Sequence, residues 1–184
     1  MDLNQFAKAM GCSTTTAAAW LAPMTEAMAE YQIGTTTRQA AFLAQIGHES
    51  GGLRWLKELW GPTDAQKKYE PPSDKASQLG NTQAGDGFRY RGRGPIQITG
   101  RDNYVNVSNA LDHDFVTNPD DLASPEWASK SAAWWWASHA LNQQADRNTD
   151  QSFLAITRTI NGGTNGIADR QARWKVAKQA LGAP

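Results

Sequence analysis

Two glutamates nine positions apart, Glu49 and Glu58, are the side chains best placed for acid–base chemistry. On one straight helix, nine residues at about 100° each would put the two carboxyl groups on opposite faces, with no substrate in common. Gly51 and Gly52 stop that helix and let the chain turn, so Glu58 can come back across from Glu49. Two carboxyl groups about 6.5–9.5 Å apart leave room for a water beneath a sugar ring, the arrangement of an inverting glycosidase. Glu49 falls near the carboxyl end of its helix, beside Phe42 and Ile46; the helix dipole and the apolar neighbours both favour a proton on it, which suits a general acid. Glu58 follows Arg54 and Lys57 in a loop, where negative charge costs less, and suits a base that activates water. From these residues alone, a pair of ordinary surface acids stays open as the alternative.

Other chemistries find less support. His48 stands beside Glu49, but a zinc protease signature needs a second histidine one turn on, and position 52 is glycine. His113 and His139 have no ligand-like spacing, so no metal and no cofactor is expected, and His48 is read as a hydrogen-bonded packing residue. The glycine pairs 85/87 and 92/94 do not complete a dinucleotide fingerprint. Cys12 has no partner for nucleophilic catalysis or for a disulfide. Lys plus Arg and Asp plus Glu both number 18, and a net charge of +0 with a single RGRG argues against nucleic acid as a partner. No apolar run reaches about 18 residues, and MDLNQFAKAMG does not read as an export signal, so neither membrane insertion nor secretion is expected.

The elements that must position these groups read as helices. A chain of 184 residues suggests one domain, 1–184, with two lobes around a cleft. Residues 14–31 read as helical behind threonine caps, with Pro23 starting a second helix or kinking the first. Residues 36–50 are helical behind a threonine cap, with Ala40, Leu43, Ile46 and Gly47 at helical spacing. Residues 61–95 are punctuated by proline and glycine and are expected to form a loop-rich smaller lobe or cleft wall, approximately 55–95 in all. Residues 97–111 enter another helix, and Ser124-Pro125-Glu126 opens one expected to run through SAAWWWASHAL. Residues 150–160 and 168–181 complete the set around the turn NGGTNG, and FRYRGRGPIQI allows at most a short β-hairpin. The class is mainly α.

In order along the chain, HESGG, YRGRGPIQITGRDNY, NPDDLA, AAWWW and INGG resemble the signature of glycoside hydrolase family 19 over roughly residues 38–175. That family holds chitinases and many bacteriophage cell-wall endolysins. The resemblance implies a lysozyme-like, two-lobed helical domain with a central substrate cleft, working by inversion. It implies Glu49 as the acid, Glu58 as the base, and Thr99, where serine is usual, as the hydroxyl that helps hold the attacking water. It further implies Gln97 and Asn103 as sugar contacts and Asn161 as a cleft residue, with Tyr90 and Tyr104 as candidate sugar contacts. The segment KELWGPTDAQ around Glu58 departs from the family's usual run. The cysteines of plant members' disulfides are missing, which favours the endolysin branch. On that branch the expected substrate is the β-1,4-linked peptidoglycan glycan strand. The enzyme is then held in a host bacterial cytoplasm and acts on the wall after release, through a separate pore-forming holin. A monomer is expected. A chitinase acting on poly-N-acetylglucosamine and a non-catalytic wall-binding protein are the alternatives.

Two sets of residues stay open. Trp134, Trp135 and Trp136 cannot all face one way on a helix, so one or two are core and another can border the cleft; Trp55 and Trp60, flanking Glu58, are cleft candidates. The arginines of 86–101 give that segment a local excess of positive charge that can steer the protein to an acidic envelope. Those within RGRG are read as structural forks that hold acids such as Glu58 or order the loop. Glu49→Gln and Glu49→Ala are each expected to abolish most activity with little loss of stability.

Overall fold

Side-chain caps set where most of the long helices begin. The computed structural model describes residues 1–184. Asp2 caps α1 (Leu3–Met10), Ser13 caps α2 (Thr14–Glu30) and Thr35 caps α3 (Thr36–Glu49). Three short helices come next in the proline- and glycine-rich stretch: α4 (Asp64–Lys67), α5 (Asp74–Gln78) and α6 (Asp86–Arg89). Then come α7 (Arg101–Leu111), a 3-10 turn at Pro119–Ala123, α8 (Pro125–Ser138), α9 (Leu141–Asp146), α10 (Asp150–Asn161) and α11 (Ile167–Leu181). No helix is long and apolar enough to cross a membrane.

The mainly α, lysozyme-like reading holds, with four local corrections. Pro23 lies inside α2 and does not divide it. The helix from Pro125 ends at Ser138, because Ala140 takes a left-handed φ of 53° and α9 starts anew. The expected hairpin is reduced to two isolated antiparallel bridges, Lys57 with Arg93 and Arg93 with Ile98. Helix α1 had no counterpart in the sequence reading, although Asp2 and Gln5 form a capping box and Leu3, Phe6, Ala7 and Met10 fall on one helix face.

Two cores divide the molecule. The larger gathers Phe6, Met10, Trp20, Met24, Phe42, Leu43, Trp136, Phe153 and Trp174. Helix α3 runs through it and is buried without a break from Ala40 to Gly47, packed chiefly on α11. Burial of one such side chain as Phe42 is worth about 1.5–3 kcal/mol. Gly47 lets α3 meet the end of α1: a Cβ there would sit 2.5 Å from the Met10 carbonyl oxygen. The smaller core holds Tyr90, Ile98, Tyr104, Val107, Phe115 and Leu122. Helix α8 serves both. Ala128, Ala132 and Trp136 face the larger core, while Trp127 and Trp134, seven residues apart, lean on the smaller. Ile96 packs against both.

Candidate active site

Glu49 is the last residue of α3, and the chain reverses tightly after it. The Ser50 hydroxyl donates to the Ile46 carbonyl and accepts from the Leu53 amide, closing the helix end. Gly51, Gly52 and Leu53 all take left-handed φ values of 59°, 70° and 67°. That backbone costs Leu53 roughly 1–2 kcal/mol, and the residue is held there by its side chain, buried in the larger core. The two glycines therefore stop the helix after Glu49, as expected.

The surroundings of Glu49 are not those predicted. Its carboxylate pairs with the guanidinium of Arg170, a side chain only 2 % exposed. Arg170 also donates to the side chain of Gln45, one turn back on α3, and to the Asn165 carbonyl. Gln45 in turn donates to Thr157 on α10. A buried guanidinium, rather than a purely apolar pocket, is what holds Glu49. Asn161 joins the same network: its amide donates to the Asn165 carbonyl and accepts from the Gly163 amide. It shapes the loop that places Arg170. His48 points away, its Nδ1 2.6 Å from Asp169, as expected of a packing residue.

Glu58 belongs to the other lobe. Its backbone amide donates to the Gly92 carbonyl at 2.8 Å, and the Gly94 amide to the Leu56 carbonyl at 2.9 Å, so residues 56–58 lie along 92–94. The Glu58 carboxylate accepts from the Gly92 amide at 3.0 Å and from the Gln66 side chain at 2.9 Å. Gln66 is itself fully engaged, donating also to the Leu59 carbonyl and accepting from the Thr63 amide. Neutral donors, not arginine forks, orient this carboxylate, which corrects one reading of the RGRG segment. Its charge, after burial, pushes the Tyr69 hydroxyl above the usual tyrosine value.

Gly92 is the junction of the smaller lobe's polar groups. A Cβ at that position would stand 2.5 Å from Gln97 Oε1 and 3.3 Å from Thr99 Oγ1. Glu58, Gln97 and Thr99 therefore surround one residue, and a side chain there would displace the Gln97 amide. The Thr99 hydroxyl donates to the Gln97 carbonyl at 2.9 Å, which leaves its lone pairs free to accept from a water. Asn103 donates to the Thr99 carbonyl at 2.7 Å. Gln97, Thr99 and Asn103 line a groove of about 400 Å³. Its other wall comes from α8 and the residue that ends it: Trp134, Trp135 and His139. Trp135 and His139 stack with ring centroids 3.8 Å apart. Aromatic faces opposite amide and hydroxyl groups suit a ligand with apolar faces and polar edges, as sugar rings have.

The sequence-predicted contacts thus separate. Trp136 is core, while Trp134 and Trp135 border the groove. Tyr90 and Tyr104 are buried in the smaller core and cannot be sugar contacts without unfolding it. The Tyr104 hydroxyl donates to the Arg91 carbonyl and accepts from Arg93, and burial, largest of its influences, pushes its pKa up to about 12. Trp60 packs on Tyr69 and Phe88 and does not line the groove. Trp55 is exposed beside Gly51. Arg93 is buried against Asp120 and the Arg89 carbonyl and orders the RGRG loop. Sequence reading missed Arg170, Gln66 and the places of Asn106 and His139 in the groove lining. The signal for Gln45 was present, four residues before Glu49 on one helix face.

Comparison with known proteins points the same way. A family model described as chitinase class I matches residues 12–173. The chain is 40 % identical over 157 residues to a glycosyl hydrolase family 19 domain-containing protein of Haemophilus influenzae, covering 72 % of this chain and 74 % of that protein. It is 38 % identical over 133 residues to an endochitinase of Arabidopsis thaliana, covering 71 % of this chain and 41 % of the other. An endochitinase of Persea americana is 36 % identical over 179 residues, with 80 % and 55 % covered. The chain thus spans about half the length of these plant relatives. Chitinase C from Streptomyces griseus shares the fold, with a TM-score of 0.72 at 24 % identity over 98 % of this chain and 76 % of that one. A class IV chitinase from Zea mays superposes with a TM-score of 0.65 at 25 % identity, over 91 % and 81 %.

Proposed function

This chain belongs to glycoside hydrolase family 19, and on that premise we propose that it cleaves the β-1,4 bonds of the peptidoglycan glycan strand with inversion. The observation that supports the chemistry is that two carboxyl groups are each fixed in place, Glu49 by Arg170 on the larger lobe and Glu58 by Gly92 and Gln66 on the smaller; the acid and base roles follow the family resemblance. In this reading Glu49 protonates the leaving glycosidic oxygen, and Arg170 stabilises the carboxylate left behind. Glu58 takes a proton from a water that also rests on Thr99, and that water attacks the anomeric carbon from the opposite face. Gly92 fixes the register of Glu58 against Thr99. A single displacement leaves no covalent intermediate. Proton NMR of the first product formed checks this: an inverted anomer is expected, and a retained one refutes the mechanism.

The peptidoglycan substrate is supported by Arg91, a cation in no ion pair, next in the chain to the Gly92 amide that holds Glu58. Chitin is the second reading, favoured by the plant relatives' names. Mass spectrometry of fragments released from purified sacculi, set against release from N-acetylglucosamine oligomers, decides between them. Reduction of the products marks the new reducing-end sugar and so the linkage cut. The endolysin branch expected from the sequence extends the proposal to place: a monomer held in the host bacterial cytoplasm, reaching the wall through a separate holin.

A further inference from the structure

Four arginines fall within residues 89–101, and three are engaged. Arg93 is buried against Asp120 and Tyr104, Arg101 pairs with Asp86, and Arg89 donates to the carbonyls of Val116 and Thr117. Arg91 differs. Its guanidinium lies 4.2 Å over the ring of Phe88, and its side chain makes one hydrogen bond, to the Phe88 carbonyl. No carboxylate pairs with it. Phe88 is itself 49 % exposed. The two residues border a recess of about 470 Å³ that Arg93, Asn118 and Asp120 complete. The acids of that recess are already engaged, Asp120 by Arg93 and Lys57, and Asp121 by His113. Burial and the neighbouring Arg93 lower the Arg91 pKa from its usual value, yet an arginine stays charged at neutral pH. The recess adjoins the candidate site: the residue after Arg91, Gly92, donates its amide to the Glu58 carboxylate.

We propose that Arg91, stacked on Phe88, is a subsite for a carboxylate on the peptide stem of the glycan strand. The inference rests on the peptidoglycan reading and deepens it. Chitin is a neutral polymer and offers this cation nothing. In peptidoglycan every second sugar bears a short peptide with free carboxylates. With the Phe88 ring on one side and one N–H on the Phe88 carbonyl, the remaining N–H groups of the guanidinium can meet a carboxylate in a two-pronged contact. Selection between the two polymers then lies beside the base rather than in the sugar groove.

The test compares Arg91→Gln and Arg91→Lys with the unsubstituted protein on three substrates: intact sacculi, sacculi stripped of peptide by an amidase, and N-acetylglucosamine oligomers. The kcat/KM ratio of intact to stripped sacculi is expected to fall about tenfold or more in Arg91→Gln, the loss of one charged hydrogen-bonded contact. Arg91→Lys should keep part of the ratio. Thermal melting of each variant checks that the loop is intact. An equal loss on all three substrates makes Arg91 a loop-ordering residue and overturns the subsite. So does an unchanged ratio. If the unsubstituted protein cleaves the oligomers but neither form of sacculus, the peptidoglycan reading itself falls, an outcome distinct from the other two.

Discussion

Replacing Glu49 by alanine removes the proposed general acid and, in the resting protein, the carboxylate that pairs with Arg170. The structure sizes both. Breaking a fully buried ion pair from one side costs about 3–5 kcal/mol, and an exposed pair is worth about 0–1 kcal/mol. Arg170 is 2 % exposed and Glu49 is 22 % exposed, so this pair falls between the limits. Arg170 also keeps two neutral acceptors, Gln45 and the Asn165 carbonyl. The expected cost is therefore about 1–3 kcal/mol, intermediate between those limits. For a chain of this length each kcal/mol moves Tm by about 2–4 °C, so Glu49→Ala should melt roughly 2–12 °C lower. Glu49→Gln leaves an oxygen for Arg170 and should melt closer to the unsubstituted protein. Both should lose about 10²–10⁴-fold in kcat/KM. Differential scanning calorimetry and reducing-end release from the cleaved glycan read the two effects separately. The reasoning is refuted if Glu49→Ala melts unchanged, since Arg170 then has no need of its partner, or if Glu49→Gln remains active. The larger stability loss for alanine revises the expectation drawn from sequence, which had no view of Arg170.

Four further outcomes are expected. Glu58→Gln should lower kcat/KM about 10²–10⁴-fold. It should also cost about 1 kcal/mol, because an amide cannot accept from both Gly92 and Gln66. Thr99→Ala should lose less activity than Glu58→Gln, since other groups can hold the water; a loss as large would make Thr99 part of the chemistry itself. Tyr104→Phe should leave KM unchanged and destabilise by about 1–3 kcal/mol, because Arg93 and the Arg91 carbonyl lose a buried partner; a raised KM at constant stability would restore it as a sugar contact. Asp86 sets an acid limit. Burial raises its pKa, but the Arg101 guanidinium and the Gln83 and Thr82 amides outweigh it, and the net value lies below the ordinary 3.8. The unfolded chain then takes up this proton at higher pH than the folded one. The stabilisation is complete above about pH 4 and disappears as pH falls through the lower folded value. Urea midpoints from pH 6 to pH 3 should fall less steeply for Arg101→Gln than for the unsubstituted protein, and parallel curves would exclude the pair.

Much of the fold was legible because helices are local. The capped apolar run of α3, the Ser-Pro-Glu opening of α8 and the glycines after Glu49 each act within a few residues of their own positions. The errors were also local in cause. Proline inside a long apolar helix can be accommodated, as at Pro23, and nothing in SHAL announces the left-handed Ala140. Tyrosines in a conspicuous motif suggested ligand contacts, but the RGRG loop needs a core of its own, and Tyr90 and Tyr104 supply it.

By itself the sequence determined a helical chain, the stop after Glu49, the family and the pair of glutamates, because capping, glycine conformation and motif order are properties of short stretches. Only the tertiary structure decided what each carboxylate faces. Arg170 reaches Glu49 across 121 positions and Gly92 reaches Glu58 across 34. The first pairing depends on how α11 packs on α3 and the second on how residues 56–58 lie along 92–94, and spacing along the chain carries no record of either.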